Sequence, residues 1–553
     1  MSIESKLHKS TCPFCLYGCG LSVNQTSHGS FTLRKVEYDR EASVNQGRLC
    51  ARGNAATHVL DDKRRLTSPL LNNKKIDWVT AISQIKSQLK SYSPKEIAIT
   101  YDLNNTTEEL AAISGFAHEL KIDSVARVYL EPEAFFSYGL PDVKHAALSD
   151  INEAKVILIV GDVFGKTPVI SKPILDAKYA DRNNRLFYID SVKTKIAGFA
   201  NKFLWAKPGT EPLLLLALIV KAGKAAKIVI GDNNFNKLRR LLPQLSELCG
   251  VANQSLEEVF QGLLSIPKGV ILASMDFGKT DDPLLLSSLV QLLTVVLPGD
   301  KKFCSPALAS VPLGKIGFGD IIDNIHQGKT KALINFGNLF PFYYPALIPT
   351  LSNLKLFITT SIYLNNLPFD NMILPVPSLL EKYGTINTLW DRVILKPLAE
   401  PVSGTKPISE IIKQLAGDLN KSKPTFTSNI AIDEIINRGV NFAKHYKKSD
   451  EISVLGEESA FGYRGIYAND SEILKVNPLT ASKYEIKEDN SVKLLVDGKE
   501  KSFTAKITTS VTVDTVTISV DKPDNRELFP IRIDNLTKEI IIAPAKGKLI
   551  KVS

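Results

Sequence analysis

Apolar and polar positions follow three successive rhythms along the 553 residues, and each rhythm predicts a different kind of element. Between about 20 and 40 the apolar positions alternate in short segments such as GLSV and SFTLRKVE, which suit a few antiparallel strands. At Asp77 (DWVTAISQIKSQLKSY) the spacing turns helical, with Asp77 as the N-cap. Strand runs then alternate with helical patterns: 96–101 (EIAITY), 155–160 (KVILIV), 186–189 (LFYI), 227–230 (KIVI), 270–273 (VILA), 332–335 (ALIN) and 356–359 (LFIT). Most are bounded by Gly, Asp or Asn, the mark of a doubly wound parallel sheet. The runs divide into two halves, roughly 95–260 and 265–420, that pack face to face. A Pro/Gly/Ser-rich stretch at 399–409 and a helical segment with a polar break at 421–429 follow. Beyond about 450 the rhythm is strand and turn without helices, at 491–496, 502–507, 511–520, 539–543 and 548–552, which predicts a separate β-barrel.

Length and composition narrow the class. The chain is too long for one core, and its 44% hydrophobic and 23% charged residues are ordinary for a globular protein. The longest apolar stretch, 212–220 (PLLLLALIV), is about half the roughly 20 residues that span a bilayer. The start (MSIESKLHKSTC) has neither an apolar signal core nor a twin-arginine pair, so a cytoplasmic, reducing location is expected. The net charge of +10 is spread over the chain with acidic residues intermixed. Without a compact Lys/Arg stripe and interleaved aromatics it argues against nucleic acid. It suits a solvated basic surface that docks an acidic redox partner or lies near an anionic membrane.

Four of the six cysteines carry the chemistry. Cys12, Cys15 and Cys19 read C-x2-C-x3-C, and Cys50 follows inside GRLCARG (47–53). Three thiolates on one loop and a fourth from downstream are what a [4Fe-4S] cluster requires. The alternatives are a zinc site, which usually comes as two short-spaced pairs, and disulfides, which suit small secreted scaffolds. Cys249 and Cys304 stand alone and are expected as buried small hydrophobes. Further on, the 155–160 strand runs into Gly161 and Asp162, a glycine turn where open α/β sheets bind phosphates and nucleotides. The next strand ends in Asp190, placed as a ribose- or base-contacting acid. Pro208-Gly209-Thr210-Glu211 then precedes an apolar helix, with Thr210 as N-cap.

In this order the motifs resemble the molybdopterin oxidoreductase superfamily, which includes formate dehydrogenases and the large iron–sulfur subunit of complex I. The resemblance runs nearly end to end. It takes in the cysteine motif, RLTSPL (65–70), the Gly161 turn, Asp190, PGTE (208–211), LPVPSLLEKYGT (374–385) and VNPLTA (476–481). It implies an α/β multidomain fold: a [4Fe-4S] domain at 1–65, two doubly wound α/β domains interleaved over 66–420, a helical linker at 421–450 and a six-stranded double-psi barrel at 451–553. It implies a [4Fe-4S] cluster, and molybdopterin guanine dinucleotide with Mo or W. Arg52 then lies between cluster and pterin, and Gly161, Asp162, Asp190, Pro208, Gly209, Thr210, Glu211, Glu381, Gly384 and Thr385 fall at cofactor-binding positions.

One departure matters. Catalytic members ligate the metal some two dozen residues before the 155–160 strand, and the matching stretch, 124–134 (SVARVYLEPEA), holds no Cys and no adjacent His. It offers Glu131 and Glu133, with Ser137 just beyond, and a soft thiolate is absent. Trp390-Asp391-Arg392 also replaces the family's usual Glu-Gly-Arg. Complex I's large subunit is the precedent for a member that keeps the fold and has lost the metal chemistry. The first expectation is therefore an iron–sulfur electron-transfer subunit of a multi-subunit redox complex, such as an NADH–quinone oxidoreductase. Its partners would be other redox subunits (iron–sulfur, flavin or quinone-reducing), at the face of a membrane complex. The second is a catalytic Mo/W bis-pterin enzyme resembling formate dehydrogenase, and the third a structural scaffold.

Overall fold

The computed structural model describes residues 4–28, 31–129, 132–305, 314–337, 340–364, 367–417, 430–446, 449–459 and 472–552. Among them lie a three-stranded antiparallel sheet, two larger sheets flanked by helices, a closed barrel and two two-stranded ribbons. The small sheet comprises Glu4–Thr11, Gly20–His28 and Phe31–Glu37, paired in that order. Its first strand (ESKLHKST) escapes a pattern search because it has one apolar side chain. Pairing fixes it instead, in register from Glu4 opposite Ser27 to Thr11 opposite Gly20.

The two large sheets are threaded through one another in sequence. Five parallel strands stand in the order Lys202–Trp205, Arg185–Asp190, Val156–Val160, Lys268–Ala273, Asp300–Cys304. The seven-stranded sheet joins Ile97–Tyr101 and Ser124–Arg127 to Ala332–Phe336, Leu356–Ser361 and Met372–Pro375, with Leu70–Leu71 and Lys74–Lys75 antiparallel at its edge. Each sheet therefore draws strands from both sides of residue 260, so the sequential division at 95–260 and 265–420 does not hold. A period-two strand exposes opposite faces to two cores. Val156, Leu158 and Val160 pack with the apolar helices Glu211–Lys221 and Pro283–Val296. Ile157 and Ile159 share the opposite core with Cys12, Tyr17 and Cys19. The cysteine-bearing lobe thus shares one core with the five-stranded sheet.

Six strands close the barrel in the order Ile452–Glu457, Thr515–Ser519, Ile473–Val476, Lys499–Ile507, Ser491–Val496, Ala545–Lys551. The first and third of these are additions to the sequence expectation. The run expected at 511–520 is a strand only over Thr515–Ser519, because Val511 bridges instead to Val192 of the α/β region. The KIVI segment is a second correction. It ends the helix Lys224–Ile230, whose buried side chains are Ala226 and Ile230, one turn apart, while Ile228 is 76% exposed. A short apolar run carries no period of its own, and here the four-residue spacing decides it. Asp77 does cap Trp78–Leu89, accepting from Thr80 N. No helix among the described residues is long and apolar enough to cross a membrane.

Candidate functional site

The tips of two loops bring the four cysteines together. Cys12, Cys15 and Cys19 lie between the first two strands, where Cys12 N donates to Cys19 O at 2.7 Å and closes the loop. Gly18 sits at φ +77°, and a side chain there would strike Thr388 Cγ2 at 2.8 Å, so the loop needs glycine both for its turn and for its neighbour. Cys50 immediately precedes the short helix Ala51–Asn54. Asn45, 2% exposed, ties the two loops together. Its Oδ1 accepts from Gly20 N at 2.8 Å, and its Nδ2 donates to Gly20 O at 3.1 Å and Arg48 O at 2.8 Å. Sequence reasoning missed Asn45, since one asparagine in a polar loop carries no signal of its burial.

The four thiols, with Phe14, Leu49, Gly53, Thr167, Pro168 and Val169, line one enclosed pocket. None is in a disulfide. Among the described residues no three His, Cys, Asp or Glu side chains converge as a single metal ion requires. A cubane takes its ligands at four separated corners, which suits four thiols spread around one pocket. Burial, reinforced by the neighbouring thiols, pushes Cys12 and Cys19 far above the ordinary thiol range. Four thiolates together in such a pocket need a cationic metal centre to compensate their charge. The donor set fits a [4Fe-4S] cluster.

A larger cavity of about 650 Å³ begins on the other side of the same wall. Thr167, Pro168 and Val169 face the cysteine pocket, while Phe164, Gly165 and Pro168 face the cavity. It lies outside the carboxyl ends of the parallel strands, where open α/β sheets hold nucleotides, and barrel residues Gly456, Glu457 and Glu458 form its far side. Lys193, Lys195, Thr194 and Ser510 line it together with the carboxyl groups of Asp162, Asp276, Glu457 and Glu458. Its size is that of a small-molecule site. These residues fit the nucleotide end of a pterin cofactor.

Most of the residues singled out from the α/β motifs meet at this cavity or directly behind it. Gly161 is at φ +80°, and a Cβ on it would lie 2.2 Å from Ser274 O. Asp162 lines the cavity and accepts from Gly165 N at 3.1 Å. Burial, then the nearby Asp276 carboxylate, raise its pKa to about 7. Asp190 is fully buried and accepts from Ser191 N (2.6 Å), Val192 N (3.0 Å) and the Tyr188 hydroxyl (2.5 Å). It also pairs with the Lys279 ammonium, which lies 3.4 Å from Glu211. Lys279 lines the cavity and has no motif around it, so sequence reasoning missed it too. Pro208 and Gly209 (φ +78°) make the turn before the Glu211 helix. Thr210 stands at the cap position, but its hydroxyl donates to Lys207 O at 2.7 Å, so its side chain does not cap the helix.

Arg52 is 2% exposed and donates to Lys166 O at 2.5 Å, in the wall between the two pockets. Glu381, Gly384 and Thr385 are engaged elsewhere. Glu381 pairs with Arg65 at 2.6 Å and accepts from Ser378 N and Oγ. Thr385 donates to Glu108 through its N–H (2.8 Å) and hydroxyl (2.7 Å), and a Cβ on Gly384 would meet Thr106 Cγ2 at 2.8 Å. Their visible role is to join the 381–385 segment to residues 65 and 106–108. Trp390 stands edge-to-face on Tyr17 of the cysteine loop, centroids 5.5 Å apart.

Glu131 lies outside the described residues, as does the side chain of Glu133. Ser137 is half-buried at the end of the short 3-10 helix Pro132–Ser137. Nearby, the Arg127 guanidinium lies 3.8 Å over the Tyr129 ring, and Tyr138 donates to Glu539 at 2.8 Å. Burial is the main cause that raises the Glu539 pKa to about 7. A carboxyl whose folded pKa exceeds its unfolded value holds more protons when folded, so stability falls as pH rises from about 4.5 to 7. Glu539→Gln should flatten that limb, removing up to about 3 kcal/mol of pH dependence, as read from urea midpoints at pH 5 and 8.

Three comparisons bear on this geometry. Residues 5–62 match the molybdopterin oxidoreductase Fe4S4 domain and residues 65–418 the molybdopterin oxidoreductase domain. The alpha subunit of F420-dependent formate dehydrogenase 2 of Methanococcus maripaludis is 28% identical over 364 residues, 62% of this chain and 51% of that protein. A nitrate reductase of Klebsiella oxytoca is 23% identical over 292 residues, 49% of this chain and 33% of that protein. The chain thus spans a third to a half of the length of these curated relatives. Acetylene hydratase from Pelobacter acetylenicus superposes with a TM-score of 0.74 at 11% identity, covering 98% of this chain and all of that one, which shows a shared fold.

Proposed function

Since the chain belongs to the molybdopterin oxidoreductase family, whose two domains imply a [4Fe-4S] cluster and a molybdopterin cofactor, we propose that it is an electron-transfer subunit of a multi-subunit redox complex. The observation that carries this reading is the enclosed four-thiol pocket, whose lobe shares a core with the five-stranded sheet, in a chain with no thiol over 124–134. The cluster supplies one-electron transfer when bound. Cys12, Cys15, Cys19 and Cys50 ligate it, Asn45 holds their two loops in register, and Phe14, Leu49 and Val169 keep water from it. Arg52 brings a fixed positive charge to the wall beside it. Asp162, Asp190, the 208–211 turn and Lys193–Lys195 are the candidates for holding a pterin nucleotide, while Glu381, Gly384 and Thr385, at the family's second nucleotide position, join their segment to Arg65, Thr106 and Glu108. Relatives named as alpha subunits support further redox subunits as partners. A cytoplasmic location, with or without attachment to a membrane complex, belongs to the same proposal, as do lobe boundaries near 65, 420 and 450.

A catalytic reading is favoured by one observation: two of the relatives are F420-dependent formate dehydrogenase alpha subunits. Metal and pterin analysis of anaerobically purified protein separates the two readings. Electron transfer without substrate chemistry predicts about four irons per chain and no stoichiometric Mo or W. One Mo or W per chain together with guanine nucleotide, and cluster bleaching on addition of formate, would hand the function to the catalytic reading.

A further inference from the structure

The wall between the two pockets is held from the barrel side by one lysine. Lys166 closes the short helix Val163–Lys166, directly before the cluster-facing residues Thr167, Pro168 and Val169. Its main-chain carbonyl receives the Arg52 guanidinium at 2.5 Å. Its ammonium, on a side chain 6% exposed, reaches across to Glu458 at 2.6 Å and Asp276 at 3.6 Å. Glu458 follows the barrel strand Ile452–Glu457 and is itself held by the Tyr343 hydroxyl at 2.8 Å and the Arg526 guanidinium at 3.5 Å. A buried charge pair that loses one member leaves the other uncompensated, so the chain around it must rearrange. Here the rearranging chain carries the carbonyl that anchors Arg52.

We propose that Lys166 is a positioning residue that fixes Arg52 beside the cluster pocket, and that Glu458 holds Lys166 in place, so that the barrel sets the cluster's reduction potential. This rests on the cluster reading above. A positive charge near a cluster favours its reduced form, and a negative charge disfavours it. Glu458→Gln, considered only as the loss of a negative charge, therefore raises the potential. If the residue acts by positioning, Glu458→Gln loosens Arg52 and lowers the potential, with the sign expected of Arg52→Gln.

The test is an EPR-monitored redox titration of the full-length, anaerobically purified protein, with iron per chain measured first. Arg52→Gln and Glu458→Gln are each expected to lower the midpoint potential at unchanged iron content. The Arg52→Gln/Glu458→Gln double variant should fall no lower than Arg52→Gln alone, since the positioning effect acts through Arg52 and only the direct loss of the Glu458 charge, which raises the potential, is left. Lys166→Arg should stay near the wild-type value. A raised or unchanged potential in Glu458→Gln, or a double variant that falls further below Arg52→Gln alone, overturns the proposal. If Glu458→Gln fails to fold, Tyr343→Phe weakens the same carboxylate's anchorage without changing charge. It must lower the potential, and an unmoved value overturns the proposal equally. Wild-type protein without iron overturns the cluster reading and this inference with it, whereas iron-replete variants of the wrong sign overturn this inference alone.

Discussion

Cys15→Ser, expressed and purified without oxygen, is expected to lose the reducible cluster signal and most of the roughly four irons that the wild-type protein carries. Cys15 is half-buried, at the outer side of the pocket, while Cys12 and Cys19 are buried inside it. Losing it leaves three ligands and opens that side to water. A serine hydroxyl is a poor replacement for the soft thiolate that iron–sulfur clusters take. Since the lobe shares its core with the five-stranded sheet, the fold is expected to survive, with circular dichroism near that of the wild type. An intact cluster in Cys15→Ser would sink the ligand assignment. Cys249→Ser is the control: Cys249 sits at the end of the helix Asp232–Cys249 with its Sγ on Thr210 O, and should leave iron content unchanged.

The second large effect concerns stability. Glu381→Ala should destabilise the protein by about 3–5 kcal/mol, the usual cost of stranding one member of a buried pair. The Arg65 and Glu381 side chains are 3% and 1% exposed and meet at 2.6 Å. Arg65 also donates to Val59 O, while Glu381 accepts from Ser378 and from Val402 N. Without the carboxylate, a guanidinium stays in a dry site, and the turn at Ser378 and the chain at Val402 lose their acceptor. Chemical denaturation should show the loss as a lower midpoint. A double variant, Arg65→Met with Glu381→Leu, should recover much of it, because an apolar pair leaves no charge stranded. Destabilisation under about 1 kcal/mol would mean that water reaches the site.

The same residue shows what a sequence conveys and what it withholds. The Glu381-Lys382-Tyr383-Gly384-Thr385 motif marks the family, yet its spacing cannot tell a cofactor contact from an internal joint. In the structure Glu381 turns to Arg65, Lys382 to Glu109 and Thr385 to Glu108. Val156–Val160 was legible because five consecutive apolar residues must be buried on both faces, and Ala332–Phe336 because its apolar run is broken only by Asn335. Their partners were not, because strand order is decided by helix packing far from either strand. The cysteines were legible as a cluster motif because ligand chemistry allows few residue types. Asn45, Lys166 and Lys279 were not, because ordinary polar residues acquire their roles only from what surrounds them.

The interleaving of the two sheets has a consequence in time. Ile97–Tyr101 leaves the ribosome early, but its parallel neighbour Ala332–Phe336 lies more than two hundred residues downstream. At ordinary synthesis rates that is a wait of roughly ten to fifty seconds. Meanwhile Val156–Val160 can pair with Arg185–Asp190 and then with Lys268–Ala273, so the five-stranded sheet can form first. The nascent chain must carry an unfinished apolar edge beside a finished sheet, which invites wrong strand pairing. Slower translation between residues 101 and 332 would prolong that exposure, and a chaperone that shields the 97–127 strands would shorten it.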